Sequence, residues 1–248
     1  TIPDSVTSIS TMAFGCCESL MSVTIPNSVT NIGGMAFISC TDLTSVTIPE
    51  SVTSIGYCAF SKCSNLTSIN IPDSVTSIKR EAFYGCESLM SVTIPDSVTS
   101  IEDAMFYGCT SLTSITIPDS VTRIGHNAFN ECSSMTSIII PDSVTSIGTA
   151  AFANCDKLTI ICNAGSYAEK YAKNNHIPYK EYKISLLPGD INNDGSVNIA
   201  DAVSLQNFLL GRTKTLDNWK NADLCEDNRL NGFDVILMRR LLIEKMQS

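Results

Sequence analysis

Ser22-Val23-Thr24-Ile25-Pro26 alternates hydroxyl and apolar side chains over four residues and then stops at a proline. Alternation with period two is what a strand with one buried face requires. Proline, lacking an N–H, ends the hydrogen-bond ladder there. The same stretch returns at one constant interval, with its proline at Pro3, Pro26, Pro49, Pro72, Pro95, Pro118 and Pro141. Ile2, Val6, Ile9, Phe14, Cys17, Leu20 and Val23 travel with it and reappear as Ile25, Val29, Ile32, Phe37, Cys40, Leu43 and Val46. The unit reads LxSVTIPxSVTSIxxxAFxxCxx in seven copies, with a remnant at Leu158 to Ile161 and methionine substitutions at Met105 and Met135.

One unit has too few apolar residues to bury a core alone. Stacked units bury a continuous column of Ile, Val, Phe, Leu and Cys. Neighbouring strands are expected ~4.8 Å apart in a parallel sheet, with the Ala-Phe segment around Phe14 returning the chain as a short helix or turn. Seven of the 11 cysteines (Cys17, Cys40, Cys63, Cys86, Cys109, Cys132, Cys155) occupy one repeat position. Parallel neighbours at that spacing do not point at one another as a disulfide demands, so these are read as buried thiols. No CxxC pair occurs and His126 and His176 are the only histidines, which argues against zinc.

These units resemble the BspA-like class of leucine-rich repeats over residues 1–162, through the LTSVTIP, SVTSIG and AF–C motifs of nearly every copy. The resemblance implies a curved solenoid, of a kind found on secreted and surface proteins of bacteria that contact proteins or cell surfaces. Its solvent-facing strand positions carry Ser22, Thr24, Ser45, Thr47, Ser68, Asn70, Ser91, Thr93, Ser114 and Thr116, an uncharged hydroxyl array. That array is either simply a good exposed sheet face or a contact surface for a protein or glycan. Tyr57, Tyr84 and Tyr107 lie in the variable return segments and are candidates for exposure. The acidic or amide residue after each proline, Asp4 through Asp142, is expected to accept a turn N–H.

Charge narrows the partners. Residues 1–162 hold 14 acidic and 5 basic side chains, whereas residues 163–248 hold 11 of each. An acidic solenoid with so few cations argues against nucleic acid and against an anionic membrane surface. No apolar run reaches membrane-spanning length. The chain begins in mid-pattern at Thr1, and reads as a trimmed piece.

After Ile161 the repeat stops. Ser166 and Glu169 form a capping box for a helix through Tyr171, and residues 163–180 are expected to cap the open end of the solenoid. Residues 181–188 form a link ending in Pro188-Gly189.

From Asp190 the spacing changes character. Asp190, Asn192, Asp194, Asn198 and Asp201 put side-chain oxygens at positions 1, 3, 5, 9 and 12, with Gly195 at the sharp turn and Ser196 offering its carbonyl. A hard cation needing six to eight oxygens is wrapped by such a loop, so calcium is expected. A second loop begins at Asp223 and continues through Asp227, Arg229, Asn231 and Asp234. There Cys225 replaces an oxygen ligand and Asn228 replaces the glycine, so a second calcium ion should bind more weakly. An apolar helix follows each loop.

Two such loop-helix units at residues 189–248 resemble a type I dockerin, most clearly through GDINNDGSVNIADAVSLQNFLLG. The resemblance implies two calcium ions, docking to a cohesin module of a scaffoldin, and a secreted or cell-surface, cellulosome-associated setting. The cohesin contacts it implies are Ile199, Ala200, Gln206 and Asn207 in one half and Gly232, Phe233, Arg239 and Arg240 in the other. The halves differ, so one dominant docking orientation is expected, and the two arginines suit an acidic partner. The fold class expected is α+β: a leucine-rich-repeat solenoid with parallel sheet, then a small all-α dockerin with two EF-hand-like loops. The function expected is a non-catalytic cellulosome component whose solenoid binds a protein, cell surface or plant polymer. The alternative is a piece of a dockerin-bearing glycoside hydrolase or peptidase whose catalytic part precedes Thr1.

Overall fold

The computed structural model describes residues 2–181, 189–191, 197–213, 216, 219–224 and 230–246, except for the side chains of Trp219, Lys220, Phe233, Glu244, Lys245 and Met246. The chain forms two compact units, Thr1–Tyr182 and Lys183–Ser248.

In the first unit each repeat is one coil of a parallel solenoid. The Ser-Val-Thr strands stack in register, with Ser22, Val23 and Thr24 opposite Ser45, Val46 and Thr47. The column continues through the bridges Thr47–Asn70, Thr93–Thr116 and Thr116–Ile139 to the strand Thr159–Cys162. A second column, which the alternation in sequence does not announce, is built from the two-residue Ser-Ile strands: Ser8–Ile9, Asn31–Ile32, Ser54–Ile55 and Ser77–Ile78 pair consecutively. Between the columns, the turn after each proline is closed by backbone alone, as where the Val29 amide donates to the Pro26 carbonyl at 3.0 Å. The expected side-chain acceptors after the prolines play no such part among the described residues. The next residue does the bonding instead: Ser28, Ser51 and Ser74 donate to Val6, Val29 and Val52 of the preceding coil at 2.6–2.7 Å.

The Ala-Phe segment is a turn rather than a helix. Two left-handed residues four apart bracket it in every coil, Met35 and Ser39 (φ 57° and 55°), then Cys58 and Lys62 (51° and 60°). This geometry aims its amides along the solenoid axis, and Phe37 and Phe60 donate to Ala59 and Ala82 of the next coil at 2.8 Å. Each coil is therefore bonded to its neighbours at the turns as well as in the strands.

The core is a set of columns. Phe14, Phe37, Phe60, Phe83, Phe106, Phe129 and Phe152 stack with ring centroids 5.1–5.8 Å apart. The cysteines among the described residues are free thiols, and those from Cys40 to Cys155 are buried. Each of those at the repeat position donates to the phenylalanine carbonyl of the preceding coil, from Cys40 to Phe14 at 3.0 Å through Cys155 to Phe129 at 3.0 Å, whereas Cys58 donates to Glu81 at 3.3 Å. Cysteine suits the site as a small apolar group with one weak donor. Helix α1 (Tyr167–Asn174) closes the stack: Ser166 caps it by accepting the Glu169 amide, and Tyr171 meets Phe152 edge-on at 6.1 Å. The strand Tyr179–Glu181 adds itself to Thr159–Cys162, so Glu181, first residue of the expected link, ends a strand. Residues 182–188 lie outside the described residues.

In the second unit, helices α2 (Ile199–Leu209), α3 (Trp219–Ala222) and α4 (Gly232–Met246) share a small core of Ile191, Val197, Leu205, Ala222 and Met238. Leu205 and Met238 are both fully buried. They hold equivalent places in the two halves, separated along the chain as Asp190 is from Asp223.

Candidate functional site

The site begins where α2 starts. Asn198 caps the helix by accepting the Ala200 amide at 2.8 Å, and Asp201 Oδ2 accepts the Asn198 amide at 2.8 Å, a reciprocal capping box. Asp201 Oδ1 accepts the Ile191 amide at 2.8 Å. One carboxylate thus ties the last residue of the first loop to its second. Asp201 and Asp190 are buried, 0% and 1% exposed.

The second loop repeats the device. Asp234 Oδ2 accepts the Asn231 amide at 2.9 Å, and Asp234 is fully buried. The halves are joined at their loop starts, where Asn221 Nδ2 donates to the Asp190 carbonyl at 2.9 Å and the Gly189 amide donates to the Asn221 carbonyl at 2.8 Å.

Burial of carboxylates in a small domain is costly unless a counter-charge is near. Asp190 and Asp201 stand at opposite ends of a twelve-residue loop, and all the expected side-chain donors of that loop are oxygens. That set fits a hard divalent cation. Asn192, Asp194, Ser196, Asp227 and Arg229, together with Cys225 and Asn228, lie outside the described residues, as does the side chain of Phe233. Among the described residues no three His, Cys, Asp or Glu side chains come together to hold a metal.

The other face of each helix is turned to solvent. On α2 and just beyond it, Ile199, Val203 and Leu210 are 70%, 49% and 56% exposed, with Gln206 exposed and Asn207 half-buried beside them. On α4, Ile236 and Ile243 are 62% and 56% exposed and flank exposed Arg239 and Arg240. The two sets lie at i, i+4, i+7, i+8 and i+11 from Ile199 and Gly232 respectively, so each is one stripe on one helix face. Val203, Leu210, Ile236 and Ile243 were not among the residues expected at a partner surface. Aligning the halves with Asp190 on Asp223 and subtracting the buried positions would have found them.

On the solenoid the hydroxyl array is exposed from Ser22 to Thr116 and gives way to Ile139. Tyr57 is exposed, but Tyr84 and Tyr107 are half-buried and stacked on each other at 4.8 Å, which closes one face of each ring. The Tyr107 hydroxyl donates to Glu131 at 2.6 Å, and that carboxylate pushes its pKa up. Arg123 pairs with Glu102 and Asp103 at 3.2 and 2.7 Å. Partial burial acts to raise the Asp103 pKa, but the His126 amide and the Arg123 guanidinium outweigh it and hold it below the usual value. No helix among the described residues is long and apolar enough to cross a membrane.

Residues 1–113 and 53–176 match the family model for the BspA type leucine rich repeat region, and residues 188–243 match that for the dockerin type I domain. The solenoid is similar to the crystal structure of a leucine rich repeat protein of T. pallidum, with 28% identity and a TM-score of 0.60 over 71% of this chain and 79% of that one. It is also similar to a leucine rich cell surface protein of Faecalibacterium prausnitzii, at 34% identity and a TM-score of 0.52 over 69% of this chain. The match spans 55% of that protein's length. No curated protein matches the chain.

Proposed function

Since this chain belongs to the BspA type leucine-rich repeat family and ends in a type I dockerin domain, we propose that it is a non-catalytic component of a cellulosome-type assembly, docked by its C-terminal module to a cohesin of a scaffoldin. Neither domain is of a catalytic kind, and calcium binding and extracellular assembly follow from the dockerin family. The observation that carries the reading is the paired construction of the C-terminal unit: two buried, amide-tied aspartates, Asp201 and Asp234, each opening a helix with a solvent-exposed apolar stripe.

In this reading residues 1–162 are the solenoid, 163–180 its cap, 181–188 the link and 189–248 the docking module. Asp190, Asn192, Asp194, Ser196, Asn198 and Asp201 hold one calcium ion, and Asp223, Asp227, Arg229 (through its carbonyl), Asn231 and Asp234 hold a second more weakly, because Cys225 offers sulfur where oxygen is needed. Bound calcium supplies the positive charge that compensates the buried carboxylates. The chain's own part is to fix Asp201 and Asp234 by backbone amides, so that each loop and its helix form as one piece. Ile199, Ala200, Gln206, Asn207, Gly232, Phe233, Arg239 and Arg240, with the exposed Val203, Leu210, Ile236 and Ile243, form the cohesin-facing surface.

The solenoid then presents its exposed faces to a protein, cell surface or plant polymer. The hydroxyl column supports a protein or polysaccharide contact, and the stacking of Tyr84 on Tyr107 leaves less open ring surface for sugar. A calcium titration of the full chain tests the metal assignment: two sites of unequal affinity are expected, and Asp190→Ala should remove the tighter one. A single site, or loss of the weaker one, contradicts it.

A further inference from the structure

The repeat turn passes its hydrogen bonds forward, and the last turn has no further turn to receive them. In each of the first six coils three turn amides are accepted by the next coil, as where Asn127, Phe129 and Glu131 donate to the Thr149, Ala151 and Ala153 carbonyls at 3.1, 2.8 and 2.9 Å. The equivalent donors of the seventh coil are Ala150, Phe152 and Asn154, and the outer two keep the left-handed backbone of the series, φ 55° and 58°. The cap serves the middle donor: the Tyr171 hydroxyl lies against the Ala151 and Phe152 amides, which partly oppose the rise that burial gives its pKa. Among the described residues the Ala150 and Asn154 amides have no acceptor. Both residues line one cleft of about 370 Å³ between the last coil and the cap, together with Phe152, Tyr171, His176 and Ile177.

We propose that this cleft binds a short uncharged peptide segment of a partner protein, through two backbone carbonyls seated on the Ala150 and Asn154 amides. All six preceding coils satisfy these two places with peptide carbonyls, so the donors are already set for that acceptor. An amide left facing a cleft favours an oxygen acceptor of some kind, and charge selects a neutral one. Asp156 lines the same cleft, and residues 1–162 hold 14 acidic against 5 basic side chains, so an anion meets a repulsive field. His176 offsets that field only in part, and only when protonated. Phe152, Tyr171 and Ile177 supply an apolar wall against which small side chains can pack. The site gives the solenoid's protein contact, proposed above and presupposed here, a definite place and chemistry, and it does not involve the calcium loops.

The probe is a tetra-alanine peptide blocked at both ends, neutral and rich in carbonyls. It is titrated into the full chain with calcium, up to concentrations on the order of ten millimolar, with sodium acetate in a parallel titration. Amide resonances in nuclear magnetic resonance report each donor separately. The peptide should shift the Ala150 and Asn154 signals saturably and slow their hydrogen exchange. It should leave Asn127 and Glu131, whose acceptors are internal, nearly still. Acetate at the same concentration should shift all four little. Ala153→Glu places a competing carboxylate in the cleft and should weaken peptide binding roughly tenfold, with circular dichroism checking that the solenoid melts as before. Acetate shifts as large as those of the peptide overturn the proposal, as do peptide shifts at Asn127 and Glu131 equal to those at Ala150 and Asn154. Shifts confined to the exposed hydroxyl strands, as at Thr47 and Thr93, overturn the cleft but keep a peptide contact for the solenoid. No shift anywhere on the solenoid overturns the cleft and counts against that contact as well. None of these outcomes touches the docking to a cohesin.

Discussion

Lys62 occupies a position where the backbone is left-handed, φ 60°, and where the next two coils place Gly85 and Gly108 at φ 66° and 69°. A side chain costs about 1–2 kcal/mol in that region and glycine does not. Lys62→Gly should therefore stabilise the solenoid by about 0.5–1 kcal/mol in a denaturant titration, since glycine's greater unfolded-state freedom offsets part of the gain. The thiols make a second residue-level case. Burial, outweighing a hydrogen bond from the backbone of the preceding coil's cysteine, pushes Cys40 and Cys155 up to about 11 from 9.0, and Cys63, Cys86, Cys109 and Cys132 further. Above pH 9 the unfolded chain releases these protons and the folded one keeps them, so stability should be intact below pH 9 and fall as pH rises to 11 and beyond. Denaturation midpoints measured from pH 7 to 10.5 check the sign, and a rising or flat profile contradicts it. Of the ten described cysteines, only the exposed Cys16 and Cys17 should react quickly with a thiol reagent in the native state. The seven-fold recurrence of cysteine shows in the sequence. Its hydrogen bond to a phenylalanine carbonyl does not, because that partner lies in the preceding coil.

At the scale of the element, a coil is held by what its neighbours supply. Phe83 is sandwiched between Phe60 and Phe106 at 5.8 and 5.5 Å and is fully buried, so Phe83→Ala should cost about 3–5 kcal/mol. Phe14 stacks on one ring, Phe37, rather than two, and is half-buried. Its replacement by alanine should cost about 1–2 kcal/mol by the same denaturant titration. Equal costs would contradict a stack whose energy comes from neighbouring coils. The Ser-Val-Thr strand is legible because its alternation runs for four residues and ends in proline. The Ser-Ile strand is too short to alternate, so the second column emerges only from stacking. The turn around the phenylalanine is hidden for a different reason: its left-handed positions carry Met, Cys, Glu, Lys and Ala as well as glycine, so no residue type marks them. In the C-terminal unit the loop spacing names the ligands, but which helix face stays exposed depends on Leu205 and Met238 meeting in the core.

For the molecule as a whole, the two units draw their stability from different sources, apolar columns in one and buried carboxylates with a cation in the other. Removing calcium with a chelator should unfold the helices of residues 199–246 and leave the solenoid's unfolding transition unchanged. A single transition that shifts as one with calcium would contradict that separation. The charge is divided unevenly as well, since residues 1–162 carry a balance of −9 and residues 163–248 balance to zero. The most direct test of the central claim is isothermal calorimetry of the full chain against a panel of cohesins, with calcium and then with chelator. Tight binding to at least one cohesin, abolished by the chelator, is the predicted result. Absence of binding to every cohesin in calcium, or binding that survives chelation, would contradict a calcium-dependent docking module.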